Sequence, residues 1–325
     1  MKRSTLALGL SLCLMAPAAF ASTPTFYANL EFGHANQVSG GEYNYEFLAA
    51  FPGSFPPYPP SDFDSADNRA LTIGAHFSNP LFVELIVSRA EAEGHEPTIA
   101  GSPFTPCPAS GNFFGGQCSL RSDFSGEYRS RNVDLIAGWD FKLSPASTLS
   151  PYIGARRIKF QDRRIGRDDL GGFVQDQELK TNFDHIGYVI GGRYNLEFAQ
   201  TWFFGAELQH AHASGKRDRA LVLEYPGAFP PGFFYGIRPD DHVGVTQQMA
   251  RIEIGKHFLF GGQKATISLG YQDQRQGGLD TSQTTATNLA GPNLGAQYVA
   301  GYAAMGDRND DISMRGFYVN FGINQ

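Results

Sequence analysis

The chain has 325 residues, 42% of them hydrophobic and 13% aromatic, with 38 glycines and a formal net charge of −6. Acidity of this kind argues against a nucleic-acid partner. No apolar run of about 18 residues or more follows the N-terminal segment, so helical spanning of a membrane is excluded, while the glycine and aromatic content suits a β-protein with turns and interfacial girdles.

At the N-terminus, Lys2 and Arg3 precede an apolar run from Leu6 to Met15 and the small-x-small triplet Ala19-Phe20-Ala21. This pattern predicts a secretory signal peptide over residues 1–21, cut between Ala21 and Ser22, and a mature domain over 22–325. Cys13 follows Leu12 rather than Gly or Ala, which speaks against a lipoprotein site. Loss of Lys2 and Arg3 takes the charge from −6 to −6 − 2 = −8. Export places the two remaining cysteines, Cys107 and Cys118, in an oxidising compartment, where they are expected to form one disulfide closing a short loop. A metal site needs more ligands than this pair offers.

Ten alternating segments follow. Phe26–Phe32 is the first, and a proline-rich stretch around residues 51–60 cannot join a ladder because each proline lacks a donor. Leu71, Ile73, Ala75 and Phe77 make one face of the second, and Leu81, Val83, Leu85 and Val87 the same face of the third. The fourth sets Val133, Leu135, Ala137, Trp139 and Phe141 against Asn132, Asp134, Gly138 and Asp140. The fifth, Tyr152–Phe160, changes phase near Arg156-Arg157, which predicts a bulge. A charged loop is expected over residues 162–182. Ile186, Tyr188, Ile190 and Tyr194 then mark the sixth, and Trp202, Phe204, Ala206 and Leu208 the seventh. The eighth carries Ala250, Ile252, Ile254 and Phe258; the ninth, after the Gly261-Gly262 turn, carries Ala265, Ile267, Leu269 and Tyr271. The tenth, Met314–Gln325, places Phe317, Val319, Phe321 and Ile323 on one parity.

Four short turns alternate with five long loops. That rhythm predicts an all-β fold: a transmembrane antiparallel β-barrel of about ten strands, with long extracellular loops and short periplasmic turns, in the outer membrane of a Gram-negative bacterium. Eight or twelve strands remain open if residues 220–224 or 297–300 pair into the wall. A secreted β-sandwich is the soluble alternative, but it rarely needs such long loops. The C-terminal pattern carried by Gly316, Val319 and Phe321 resembles the signal read by the barrel-assembly machinery, although four residues follow Phe321. Expected partners are that machinery, outer-membrane lipids including lipopolysaccharide, small solutes or ions, and host or extracellular surfaces met by the loops. No cofactor is expected.

If the apolar parity faces lipid, the other lines the lumen, with Glu31, Glu84, Asp134, His185, Arg193, Glu207, Arg251, Glu253 and His257. One of Arg156 and Arg157 must join them. Two readings follow. These groups line a narrow passage for small hydrophilic solutes or ions, or they pair with one another and fill the barrel as a structural or adhesive core.

Catalytic patterns are weak. Asp62-x-Asp64 with Asp240-Asp241-His242 resembles the omptin proteases, but in the wrong loop. His76-Phe77-Ser78 and His212-Ala213-Ser214 resemble the His-x-Ser of lipid A deacylases, but the first is expected at the periplasmic end, far from lipid A, and the second has no obvious carboxylate nearer than Glu224 to orient its histidine. His210-x-His212 offers only two metal ligands. The chain is therefore expected not to be an enzyme.

Several segments resemble the Legionella-type major outer-membrane protein family of porins: Asn132–Trp139, Pro151–Ile158, Phe183–Gly192, Leu269–Gln272 and Gly316-Phe317-Tyr318. The likeness covers about residues 131–325 and implies porin activity. It carries over no catalytic residue.

Overall fold

The computed structural model describes residues 24–40, 63–77, 80–97, 121–169, 174–225, 233–237, 240–277 and 311–324. The signal segment with its Ala21/Ser22 cleavage site, and the Cys107/Cys118 pair, lie outside the described residues.

Twelve strands form one sheet: β1 (Thr25–Gly40), β2 (Ser65–His76), β3 (Leu81–Pro97), β4 (Arg121–Trp139), β5 (Phe141–Ser144), β6 (Ser147–Asp169), β7 (Val174–Phe198), β8 (Trp202–Tyr225), β9 (Phe233–Ile237), β10 (Asp240–Phe260), β11 (Gln263–Gly277) and β12 (Ile312–Asn324). Ten of them make a closed antiparallel wall, with β12 paired to both β11 and β1 and the ring completed by β10 against β8. The other two are appendages. β5 continues β4 past Asp140 and pairs with β6, and β9 pairs with the far end of β8.

Following direct partners round the ring from Tyr27 passes Gly74, Glu84, Ile136, Gly154, Val189, Ala211, Gln247, Gln276 and Ile312. It returns to β1 at Gly40, 40 − 27 = 13 residues above its start, one of which is absorbed where the register shifts between Ala35 and Gln37. Such a stagger is what tilts barrel strands by roughly 35–45°. The turns that join β7 to β8 and β10 to β11 are tight. Ala199 and Gln200 (φ 48° and 65°) and Gly261 and Gly262 (φ 59° and 85°) carry the successive positive φ angles of hairpins that match strand twist.

Outward side chains in the lower wall are apolar. Leu30, Ile73, Leu85, Leu135, Ile153, Ile254, Leu269 and Phe321 are among the exposed ones, and Trp139, Phe141, Phe198, Trp202, Phe258 and Phe260 flank the short turns. An apolar belt edged by aromatics is how a strand wall meets hydrocarbon and its interface.

Two expectations are corrected. The phase change at Arg156-Arg157 is no bulge, because β6 keeps unbroken register with β4 and β7 through it. What inverts is polarity. Below this level Ile153 faces out, while above it Ile158 and Phe160 are buried inside and Arg157 and Lys159 are exposed. The wall rises beyond the membrane, and there the inside, not the outside, is dry. Within the charged stretch, residues 162–169 and 174–182 are likewise ladder rather than loop, since β6 and β7 stay paired up to Asp169 and Val174. Residues 220–224 extend β8 and add no strand to the wall.

Candidate functional site in the barrel lumen

The inner face is built in layers, each held by alternation along the strands. At the turn end lies a cavity of about 930 Å³, walled by Tyr27, His76, Asp140, Arg193, Glu253, His257, Lys264 and Tyr318 among others. His76 Nδ1 lies 3.3 Å from Asp140 Oδ2, His257 stacks on Phe203 at 4.8 Å, and Ser268 donates to Glu253 at 2.6 Å.

Above it, two arginines are clamped by three carboxylates. Arg193 donates to both oxygens of Glu84 (2.5 and 2.7 Å) and, through Nε, to Glu207 (3.0 Å). Arg251 Nε lies 2.7 Å from the other Glu207 oxygen, and Arg251 Nη1 donates to Glu31 at 2.7 Å. Tyr27 donates to Glu84, and Tyr152 donates to Glu207 at 2.6 Å while accepting from Gln209 at 2.9 Å. Charges taken from water into such a layer are tolerable only because each is paired and hydrogen-bonded.

The next layer centres on Arg156, bidentate on Asp134 and also donating to Gln209 (2.5 Å) and Gln247 (3.3 Å). A void of about 70 Å³ lies between this layer and the one below. Gln247 then donates to Gln276 (2.8 Å), which also accepts from Tyr128 (2.7 Å). Beyond it the lumen is filled by Tyr128, Ile158, Phe160, Phe183, Val245, Ile312 and Met314, all buried.

Register thus selects Arg156 for the inside and puts Arg157 outside. Arg157 pairs on the outer wall with Asp184 at 2.7 Å and does not line the lumen. Glu31, Glu84, Asp134, Arg193, Glu207, Arg251, Glu253 and His257 face inward, as does His185, which stacks edge-on against Phe183 and lies 2.8 Å from the Lys216 carbonyl, well apart from the clamp. Gly316, Val319 and Phe321 lie on β12, in the seam between β11 and β1.

Sequence reasoning missed the three tyrosines that complete the clamp, Tyr27, Tyr152 and Tyr318. Their parity was available: Tyr27 shares the face of Glu31, and Tyr152 that of Arg156. A second signal was the glycine opposite each one. Tyr27 faces Gly74, Tyr152 faces Gly191 and Tyr318 faces Gly270 directly across the ladder, and a Cβ on any of these glycines would sit 2.3–2.4 Å from the tyrosine ring.

The catalytic patterns are placed only in part by the described residues, with Ser78 lying outside them. Asp64 borders β2, four wall positions from β10, which carries Asp240, Asp241 and His242, and Asp62 is outside the described residues. His212 contacts Thr246 at 3.3 Å and the Tyr188 ring. Among the described residues no group of three or more His, Cys, Asp or Glu is placed to hold a metal ion.

The site belongs to a transmembrane β-barrel, and that class is fixed by the closed wall, the apolar exterior and the polar lower lumen. No protein-family model matches the chain, and no curated protein matches it. Solved structures that align with it are outer-membrane barrels. The outer-membrane protease OmpT of Escherichia coli is 10% identical, with a TM-score of 0.44 over 94% of this chain and 99% of that one. The toluene transporter TodX of Pseudomonas putida (12%, TM-score 0.35) and a FadL homologue of Pseudomonas aeruginosa (11%, TM-score 0.31) each align over 94% of this chain and 91% of theirs.

Proposed function

We propose that the protein is a Gram-negative outer-membrane barrel whose resting lumen is closed, a structural or surface-exposed barrel rather than an open porin. The observation that carries this is the Arg193–Arg251 clamp, roofed by the Arg156–Asp134 pair and the apolar core above it. A hydrated ion crossing it would have to displace paired charges and then enter an apolar layer. Planar-bilayer recording of the refolded mature protein tests the reading: the expected result is silence, and discrete conductance steps would overturn it.

A second reading is favoured by the 930 Å³ cavity lined by both charge signs, together with the resemblance to the Legionella-type porins. In it, the clamp is a gate to a passage for small hydrophilic solutes or ions. Between the cavity and the Arg156 layer, Arg156, Arg193 and Arg251 face the carboxylates of Glu31, Glu84, Asp134, Glu207 and Glu253, so such a passage would prefer cations at that level. No enzymatic turnover is part of either reading. The barrel-assembly machinery, reading Gly316, Val319 and Phe321, is the proposed partner during insertion.

A further inference from the structure

The outer wall carries a rung of cations that the lumen does not explain. Arg69 on β2, Arg89 on β3, Arg131 on β4 and Lys159 on β6 are directly opposite one another in the ladder. They lie on the same outward face as Leu71, Val87 and Val133, exactly two residues further from the short turns. Like charges directly opposed across a sheet destabilise it, so four in a row call for counter-ions.

The wall supplies some. Glu91 pairs with Arg89 and Arg129, and Asp184 pairs with Lys159 and Arg157. Asp67, the acid nearest Arg69 on its own strand face, is held by His34 at 2.9 Å. Arg69 and Arg131 are exposed and have no carboxylate partner among the described residues. Two guanidiniums without a carboxylate among the described residues therefore stand at the loop-side edge of the apolar belt, where a bilayer's headgroups begin. A guanidinium presents a planar fork of donors that matches phosphate, and three strand spacings make the rung roughly 14 Å wide.

We infer that the rung Arg69–Arg89–Arg131–Lys159 binds the phosphates of lipid A in the outer leaflet. The inference rests on the outer-membrane placement proposed above. It specifies the lipid-facing site and its chemistry: an anionic phosphorylated glycolipid docked by its sugar phosphates, with its acyl chains against Leu71, Val87 and Val133.

The test is binding of purified bis-phosphorylated lipid A, and of the same lipid stripped of its phosphates, to the refolded full chain in a zwitterionic detergent, followed by native mass spectrometry. The phosphorylated lipid is expected to bind and the stripped lipid to bind much less. Arg69→Gln with Arg131→Gln should weaken binding roughly tenfold to thirtyfold, the order expected for two cations near an anionic lipid surface. Lys256→Gln, which removes an outward cation at the opposite rim, should leave binding as it was. Equal retention of both lipids, or a folded double variant that binds like the parent, would overturn the proposal. The comparison of the two lipids uses the unaltered chain, so it stands even if the variant misfolds. Fractionation of cells tests the placement separately. Recovery away from the lipopolysaccharide-bearing membrane overturns the placement and the rung's role with it, whereas outer-membrane recovery with phosphate-independent binding overturns the rung alone.

Discussion

Glu207 is the residue on which the lumen turns, because it alone is shared by both clamped arginines and a tyrosine. Glu207→Gln keeps the shape but removes the charge that faces Arg193 and Arg251. Breaking one partner of a buried ion pair costs about 3–5 kcal/mol. The loss should appear as a lower unfolding temperature in a heat-modifiability gel, and an unchanged transition would show that Glu84 and Glu31 suffice. At Glu178, beyond the apolar belt, burial pushes the carboxyl up, but hydrogen bonds from Arg163 and Lys180 outweigh it and hold the group below its ordinary 4.5. A depressed carboxylate contributes stability that is complete above pH 4.5 and is lost as pH falls through the lower folded value. Hydrogen exchange in residues 163–180, corrected for intrinsic rate, should therefore accelerate only below pH 4.5. Protection that does not change across that range would mean the pair contributes nothing.

Among the strands, the inward tyrosines and their opposite glycines act as paired elements. Gly191→Val would drive side-chain atoms into the Tyr152 ring and dislodge its hydroxyl from Glu207. Overpacking of this kind costs about 1–3 kcal/mol. The companion change Tyr152→Ala should recover part of that loss, and a double variant no better than Gly191→Val would reject steric pairing as the cause. Strand faces are tested with charge. Leu135→Arg points a cation at hydrocarbon and should cost about 2–4 kcal/mol and impair assembly, whereas Arg157→Leu, outward but above the belt, should be tolerated. Equal outcomes would mean that the membrane edge lies elsewhere. The elements also explain motifs that the sequence offered as family likeness: Gly191 and Gly270 lie opposite tyrosines, and Gly138 lies opposite Phe82, as the packing of a narrow barrel requires. Such motifs can arise from packing alone.

For the molecule as a whole, the prediction is that closure and stability are one property. Arg193→Gln with Arg251→Gln should lower thermal stability and leave Glu84, Glu207 and Glu31 facing one another. If the lumen then opens, bilayer recordings should show cation-selective steps that the parent lacks. Conductance in the parent, unchanged by the substitutions, would place the ion path elsewhere. Strand number, strand order and the lipid-facing parity were legible in the sequence because a membrane wall writes its faces at a period of two. Phe26, Leu71, Leu85, Leu135, Ile190, Leu208, Ile254 and Ile267 are assigned by that alternation alone. Alternation could not say where the wall leaves the membrane, because apolar residues face outward in hydrocarbon and inward above it. Hence Ile158 and Phe160 read as a bulge, and the paired strands over residues 162–169 and 174–182 read as part of a loop. Nor could it join residues far apart in the chain. Glu31 meets Arg251 and Glu84 meets Arg193 only because the ring closes β12 onto β1 with a stagger of 13 residues. Local alternation fixed which way each side chain points, while the closure of the sheet decided which charges meet across the lumen.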